Sequence, residues 1–153
     1  MNEAIANLPS ALPYPNVVSQ LRSRVRALGR AVRARRSVAS LDHANATTKL
    51  ATEIADQPQT NVPFKISMLS YYGRQLVLGG ARRRMSVLRQ AVVDVRGTWH
   101  RIEPAVLQRG DLADARSLTD VVVQLDAAKR PLDFVGAADA ELAVASRLRQ
   151  AFE

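Results

Sequence analysis

The apolar residues between 78 and 102 recur at steps of three and four, and this spacing constrains the fold more than any other feature of the chain. It places all of these side chains on one face of a helix, and such regularity over more than three repeats is typical of a coiled-coil seam. The seam consists of Leu78, Ala81, Met85, Leu88, Val92, Val95, Trp99 and Ile102. We therefore predict a helix that packs this face against other helices, in the core or at an interface.

The same spacing recurs along most of the remaining chain, and no segment alternates apolar and polar residues as a half-buried strand would. The sequence therefore predicts an all-α fold whose amphipathic helices bury their apolar faces together. Gly79-Gly80 marks a candidate break or kink in the second long helix, and residues 36–46, where the apolar period slips, mark a candidate break in the first. We expect a helical bundle of about four helices, two long and two short, over about 17–56, 64–103, 112–129 and 138–152.

Prolines set the expected limits of these elements. Residues 1–16 contain three prolines and are predicted to form an extended lead-in to a single bundle domain over 17–153. Pro104 is expected to stop or kink the second long helix, and Pro131 to end the helix that follows.

The absence of cysteine from all 153 residues excludes disulfides, zinc fingers, iron–sulfur clusters and thiol catalysis. The chain also lacks a nucleophile elbow and a glycine-rich phosphate loop, so we predict a binding protein rather than an enzyme. No apolar run reaches the ~18 residues needed to span a bilayer. The first residues lack the basic start and apolar run of a signal peptide. The location is left open between the bacterial cytoplasm and, with a signal peptide removed, the periplasm.

The net charge of +8 favours an acidic partner, and arginine supplies nineteen of the 22 basic residues. Residues 1–40 carry +6 and residues 64–110 carry +7, whereas 41–63 and 111–153 are net acidic. Arginine suits bidentate contacts to phosphate or carboxylate groups. The candidate partner- or anion-binding residues are Arg22, Arg26, Arg30, Arg33, Arg36, Arg82, Arg83 and Arg84. We expect an acidic macromolecule as partner, with nucleic acid as one form of it. A solvated helix face, in a protein from an arginine-rich bacterial genome, is the alternative.

His100 and Glu103 are the candidate metal ligands. Their spacing of three residues puts both side chains on one face of a helix, close enough to share an ion. Imidazole nitrogen with carboxylate oxygen suits iron, zinc or copper. The candidates to complete such a site are His43, Asp42, Asp94 or a carboxylate of the acidic segment 111–153. A transition metal is the one cofactor that the sequence suggests, and a surface ion pair at a helix end is the alternative.

The stretch 96–105, Arg-Gly-Thr-Trp-His-Arg-Ile-Glu-Pro-Ala, resembles a helix of the imelysin-like family of bacterial periplasmic proteins. That family consists of helical bundles, includes iron-uptake lipoproteins, and has an aromatic residue followed by Arg-Ile-Glu-Pro, or a Gly-x-His-x-Ile-Glu motif. The resemblance implies that His100 and Glu103 are metal ligands in a periplasmic bundle that binds a metal or small ligand. The resemblance covers about ten of the 153 residues. This chain has one more residue between Gly97 and His100 than the Gly-x-His-x-Ile-Glu motif has between its glycine and histidine.

An exposed heptad seam would bury its apolar side chains against a second copy of the chain, so we expect a homodimer. The residues that would form this interface, or else the core, are Met85, Leu88, Val92, Val95, Trp99 and Ile102. The leading hypothesis is a non-catalytic helical bundle that contacts its partners through basic helix faces and this seam.

Overall fold

The computed structural model describes residues 15–55 and 61–152, and every regular element in these residues is an α-helix. The predicted all-α class is confirmed, whereas the predicted number of about four helices is wrong, because six helices are present in the described ranges. They are α1 Pro15–Arg33, α2 Ser37–Ala55, α3 Val62–Ala81, α4 Met85–Arg109, α5 Leu112–Ala127 and α6 Pro131–Phe152. None of these six is both long enough and apolar enough to cross a membrane.

The chain divides into two compact units, residues 1–55 and 56–153, where the sequence predicted one bundle domain over 17–153. In the first unit α1 and α2 pack against each other as a helical hairpin. In the second unit α3, α4, α5 and α6 form a bundle. Of the predicted lead-in, residues 1–14 lie outside the described residues, and its last two residues already belong to α1.

A tight corner separates α1 from α2, so the predicted long helix over 17–56 is in fact two helices. Arg35 at this corner has a left-handed backbone conformation, with φ 52°. Its N–H donates to the carbonyl oxygen of Val32 at 2.9 Å. The N–H of Arg36 donates to the carbonyl oxygen of Ala31 at 3.0 Å. Together the two bonds satisfy carbonyl groups that a helix end leaves without a partner within the helix. The helix therefore ends without the glycine or proline that marks such an end in a sequence.

The second predicted long helix, over 64–103, is divided in the same way. Arg83 has φ 52°, and its N–H donates to the carbonyl oxygen of Gly80 at 3.0 Å. The N–H of Arg84 donates to the carbonyl oxygen of Gly79 at 2.9 Å. The glycine pair is therefore not the break itself: it forms the last turn of α3, and its carbonyls accept the hydrogen bonds that close the corner.

The second unit is a four-helix bundle with short connections. Its loops are two or three residues long, and loops this short place successive helices antiparallel. α3 packs against α4 and α6, and α5 packs against the same two helices. The largest fully buried side chains of the described residues all belong to this bundle, and one of them is ionisable. They are Ile66, Leu69, Leu76, Leu88, Val95, Ile102, Val106, Leu118, Leu125, Leu148 and Glu141.

The predicted seam lies on two helices, because the corner at Arg83 divides it. Its α4 part faces the core of the second unit. These residues are less than a tenth exposed, apart from the half-buried Met85: Leu88, Val92, Val95, Trp99 and Ile102. Trp99 also donates through Nε1 to Oγ1 of Thr119 on α5, at 3.3 Å. Since other helices of the same chain already cover these side chains, the seam gives no ground for expecting a homodimer.

Two prolines depart from the predicted helix ends. Pro104 lies inside α4, which continues to Arg109. Proline removes the N–H donor to the carbonyl of His100, but both residues are exposed, so water can bond that carbonyl. Pro131 begins α6 instead of ending α5, so the last helix starts earlier than the predicted 138–152. Proline suits a first helical turn, where its missing N–H would have no partner within the helix.

Candidate functional site

Four arginines of α1, which we call the arginine face, lie along one side of that helix. With 3.6 residues per turn, Arg22, Arg26, Arg30 and Arg33 fall within about 80° of its circumference. At 1.5 Å per residue they span about 17 Å along the axis, with neighbours about 5–6 Å apart. All four side chains are exposed. Charges at such regular intervals fit a row of anionic groups better than they fit a single acidic side chain.

The arginine face has no ion pair within residues 15–55 and 61–152. No arginine between 22 and 36 forms an ion pair with any residue that the structure describes. In the second unit, by contrast, Arg96 Nη1 lies 3.2 Å from Asp126 Oδ1, and Arg147 Nε lies 2.7 Å from Asp114 Oδ1. α1 contains no acidic residue of its own. Its positive charge is therefore available to an anion from outside the described part of the chain.

A pocket of about 320 Å³, which we call the corner pocket, opens where α1 turns into α2. It is lined by Ala27, Arg30, Ala31, Ala34, Arg36, Ala39 and His43. Nδ1 of His43 is buried and has no hydrogen-bond partner among the described residues. Arg30 and Arg36 are exposed. The corner pocket thus combines an alanine lining with two arginines and one histidine.

The arginine triplet 82–84 forms the other helix corner. It belongs to the second unit, whereas the arginine face belongs to the first. Arg82 is half-buried, and Arg83 and Arg84 are exposed. The left-handed backbone of Arg83 ends α3. This is a role of the backbone, and it is separate from the anion contact predicted for the Arg83 side chain. Anion binding by the triplet stays a prediction.

His100 and Glu103 lie together on α4, with Nδ1 4.0 Å from Oε2. The His100 side chain is 85% exposed, so this is a loose surface pair. Within residues 15–55 and 61–152, no three His, Asp or Glu side chains group closely enough to hold a metal ion. Asp94, a suggested further ligand, instead accepts a hydrogen bond from Gln90 Nε2 at 3.1 Å. Metal binding by His100 and Glu103 stays a prediction for which the described residues supply no third ligand.

Sequence reasoning missed Glu141 of α6, whose side chain is fully buried. Neither of its carboxylate oxygens has a hydrogen-bond partner in the described residues. Burial raises the pKa of Glu141 to about 8, although the positive charge of Arg74 lowers it. Burial also lowers the pKa of Arg74, and repulsion by Arg149 adds to that effect. The signal was available, because Glu141 occupies a position where the spacing between Ala138 and Ala145 calls for an apolar residue.

A cleft of about 300 Å³ lies between α3 and α4. It is lined by Tyr71, Tyr72, Gln75, Ser86, Val87, Gln90, Ala91 and Asp94. The rings of Tyr71 and Tyr72 meet edge to face, with centroids 5.3 Å apart. Gln90 and Asp94 in this cleft are hydrogen-bonded to each other. The cleft therefore offers a ligand fewer polar groups that still need a hydrogen-bond partner than the corner pocket does.

Among these features, the arginine face presents the largest number of charges without an ion-pair partner in the described residues, and the corner pocket shares Arg30 with it. Both are built by the α1–α2 hairpin, so the first unit carries the candidate site and the second unit carries most of the core. No family model, curated protein or solved structure matches this chain.

Proposed function

We propose that this chain is a non-catalytic binding protein that holds a nucleic acid against the arginine face. The observation that carries the proposal is the line of four exposed arginines without a carboxylate partner in the described residues. Guanidinium groups bind phosphate through two parallel hydrogen bonds, which favours arginine over lysine for this task. An acidic protein surface is the second candidate partner, since carboxylates accept the same pair of bonds.

The free energy of such binding comes largely from counterion release. If each of the four arginines neutralises one phosphate, the logarithm of the binding constant falls against the logarithm of salt concentration with a slope of about −3 on a single strand and about −4 on a duplex. Phosphate contacts fix position without reading sequence, because the backbone is the same at every nucleotide. We therefore expect binding with little sequence preference.

Fluorescence anisotropy of a labelled RNA of about 20 nucleotides, titrated with the full chain between about 50 and 200 mM salt, measures this slope. The test variant carries Arg22→Gln, Arg26→Gln and Arg33→Gln. It should weaken binding at low salt and flatten the slope by about two units, because three phosphate contacts are lost.

The matched control carries Arg89→Gln, Arg101→Gln and Arg116→Gln, which removes the same charge from exposed positions of the second unit. It should keep most of the slope. Equal losses in the two triple variants would show that net charge, and not the arginine face, attracts the strand. Binding of polyglutamate as tight as that of RNA would favour an acidic protein as partner.

A further inference from the structure

We infer that the corner pocket binds a phosphate monoester carried on a small organic group, an inference that rests on and narrows the nucleic-acid binding proposed above. The phosphorylated end of a strand and a free mononucleotide share this chemistry. A pocket of about 320 Å³ is at the lower end of the range for small-molecule sites, so it suits a group of about this size.

The shape of the pocket follows from the spacing of its residues. On α2 and the corner before it, Arg36, Ala39 and His43 are three and four residues apart, which puts them on one side of the helix. On α1, alanines occupy the positions opposite, and their short side chains leave the space between the helices open. Alanine methyl groups supply an apolar wall for the organic part of the ligand, and the two arginines supply cationic groups beside it.

The pocket is continuous with the arginine face, because Arg30 belongs to both. A strand whose phosphates follow Arg22, Arg26 and Arg30 along α1 therefore reaches the corner pocket at one end. This continuity is the reason for assigning the pocket to the end of a strand. A terminal nucleotide is linked to the strand on one side only and can enter the pocket, whereas an internal nucleotide is linked on both sides.

His43 adds an imidazole ring to the lining of the pocket. A neutral imidazole carries a proton on one of its two nitrogens, so the ring can donate one hydrogen bond to a phosphate oxygen in the cavity.

The charge of the pocket selects among ligands. Arg30 and Arg36 are both cationic and have no ion pair in the part of the chain that the structure describes, so metal ions and protonated amines are repelled. A phosphate monoester carries between one and two negative charges near pH 7, whereas an internal diester carries one. Two guanidinium groups and one imidazole donor match the monoester better.

The experiment compares two RNA strands of one sequence that differ only in a 5′-phosphate or 5′-hydroxyl end, together with adenosine monophosphate alone. Anisotropy measures the strands, and ³¹P line broadening measures the mononucleotide. Wild type should prefer the phosphorylated strand by about tenfold, the size of one charge-assisted hydrogen bond. Arg36→Gln and His43→Ala should each remove the preference while keeping most of the affinity for the hydroxyl strand. Arg24→Gln is the control, since it removes the same charge from an exposed residue of α1 that does not line the pocket.

The outcomes separate this inference from the proposed function. Equal binding of both strands, without mononucleotide binding, would overturn the proposal that the corner pocket binds a phosphate monoester. It would leave the proposal of nucleic-acid binding by the arginine face standing. If Arg36→Gln abolishes mononucleotide binding and the chain binds no RNA, the result would support phosphate-monoester binding by the corner pocket. It would overturn the proposal that the arginine face binds a nucleic acid. A preference that Arg24→Gln removes as completely as Arg36→Gln would also overturn the pocket, because charge alone would then explain it.

Discussion

Gly73 of α3 leaves the space that the carboxylate of Glu141 on α6 occupies. A Cβ at position 73 would overlap Oε2 of Glu141 and would lie 2.9 Å from the side chain of Leu142. The carboxylate is removed from water and gains no hydrogen bond from the described residues. The contact between α3 and α6 therefore depends on a missing side chain and on an acid that stays protonated well above its usual pH range.

Gly73→Ala is expected to destabilise the second unit by ~1–3 kcal/mol, because the new methyl group overpacks a filled contact. Gly136→Ala on α6 is the matched control, since a Cβ there meets nothing within 4 Å. It should be neutral or stabilise the protein by up to ~1 kcal/mol, because alanine favours helix. Urea unfolding followed by circular dichroism measures both variants. Similar effects of the two would show that position 73 is not a close contact.

The stability of the second unit is expected to fall as the pH rises from about 4.5 to about 8, which are the ordinary pKa of glutamate and the raised pKa of Glu141. In that interval the unfolded chain has released a proton that the folded chain still holds, which costs up to ~1.4 kcal/mol per pH unit. Below the interval both states are protonated, and above it both are ionised, so the loss is confined to it.

Glu141→Gln tests this pH dependence, because it removes the titrating group and keeps its size. The variant should be more stable than wild type near pH 8 and of similar stability near pH 4.5. Thermal unfolding at a series of pH values measures the difference. Glu103→Gln, at a carboxylate that is 32% exposed, should follow the wild-type curve. If wild type and Glu141→Gln kept a constant separation at every pH, Glu141 would not be the group responsible.

Arg83→Gly is expected to stabilise the protein by up to ~1 kcal/mol. Arg83 has φ 52°, a conformation that costs a residue with a Cβ ~1–2 kcal/mol and costs glycine nothing, although glycine loses more chain entropy on folding. Arg84→Gly makes the same change of charge at φ −92°, where glycine brings only the entropy loss, and should destabilise. Urea unfolding should therefore shift in opposite directions for the two variants.

Leu88→Ala is expected to cost ~2–5 kcal/mol, since Leu88 is fully buried in the second unit. Val93→Ala, on the same helix at a residue that is 50% exposed, should change stability by less than ~0.5 kcal/mol. Both unfolding midpoints, and that of wild type, should be independent of protein concentration. A midpoint that rises with concentration would instead show that the chain self-associates.

Helix type and the approximate positions of the two breaks were predictable from the spacing of apolar residues, whereas the backbone conformation of the two corners was not. Arg35 and Arg83 occupy left-handed positions that glycine usually fills, so neither position carries a local signal for a helix end. The cost of that conformation is offset by backbone hydrogen bonds and by the packing that the corner permits. Pro131 shows the converse, because the same residue is compatible with the end of one helix and the start of the next.

The candidate site was half predictable. The arginines of α1 were identified from charge and spacing, because residues three and four apart on a helix share a face whatever surrounds them. The corner pocket was not, since it forms only where α2 folds back on α1, with Arg30 on α1 and Arg36 in the corner before α2. The burial of Glu141 was signalled by its place in the apolar stripe of α6, whereas its contact with Gly73 is known only once the helices around it are placed.

The sequence by itself determined the all-α class, the apolar face of α4 and the unbalanced charge of α1, because each follows from the local period of a helix. Only the tertiary structure decided that the α4 face meets three helices of its own chain and that Glu141 lies against Gly73. It also divides the chain into two compact units. These properties depend on contacts between residues far apart in the chain, and such contacts leave no local pattern to read.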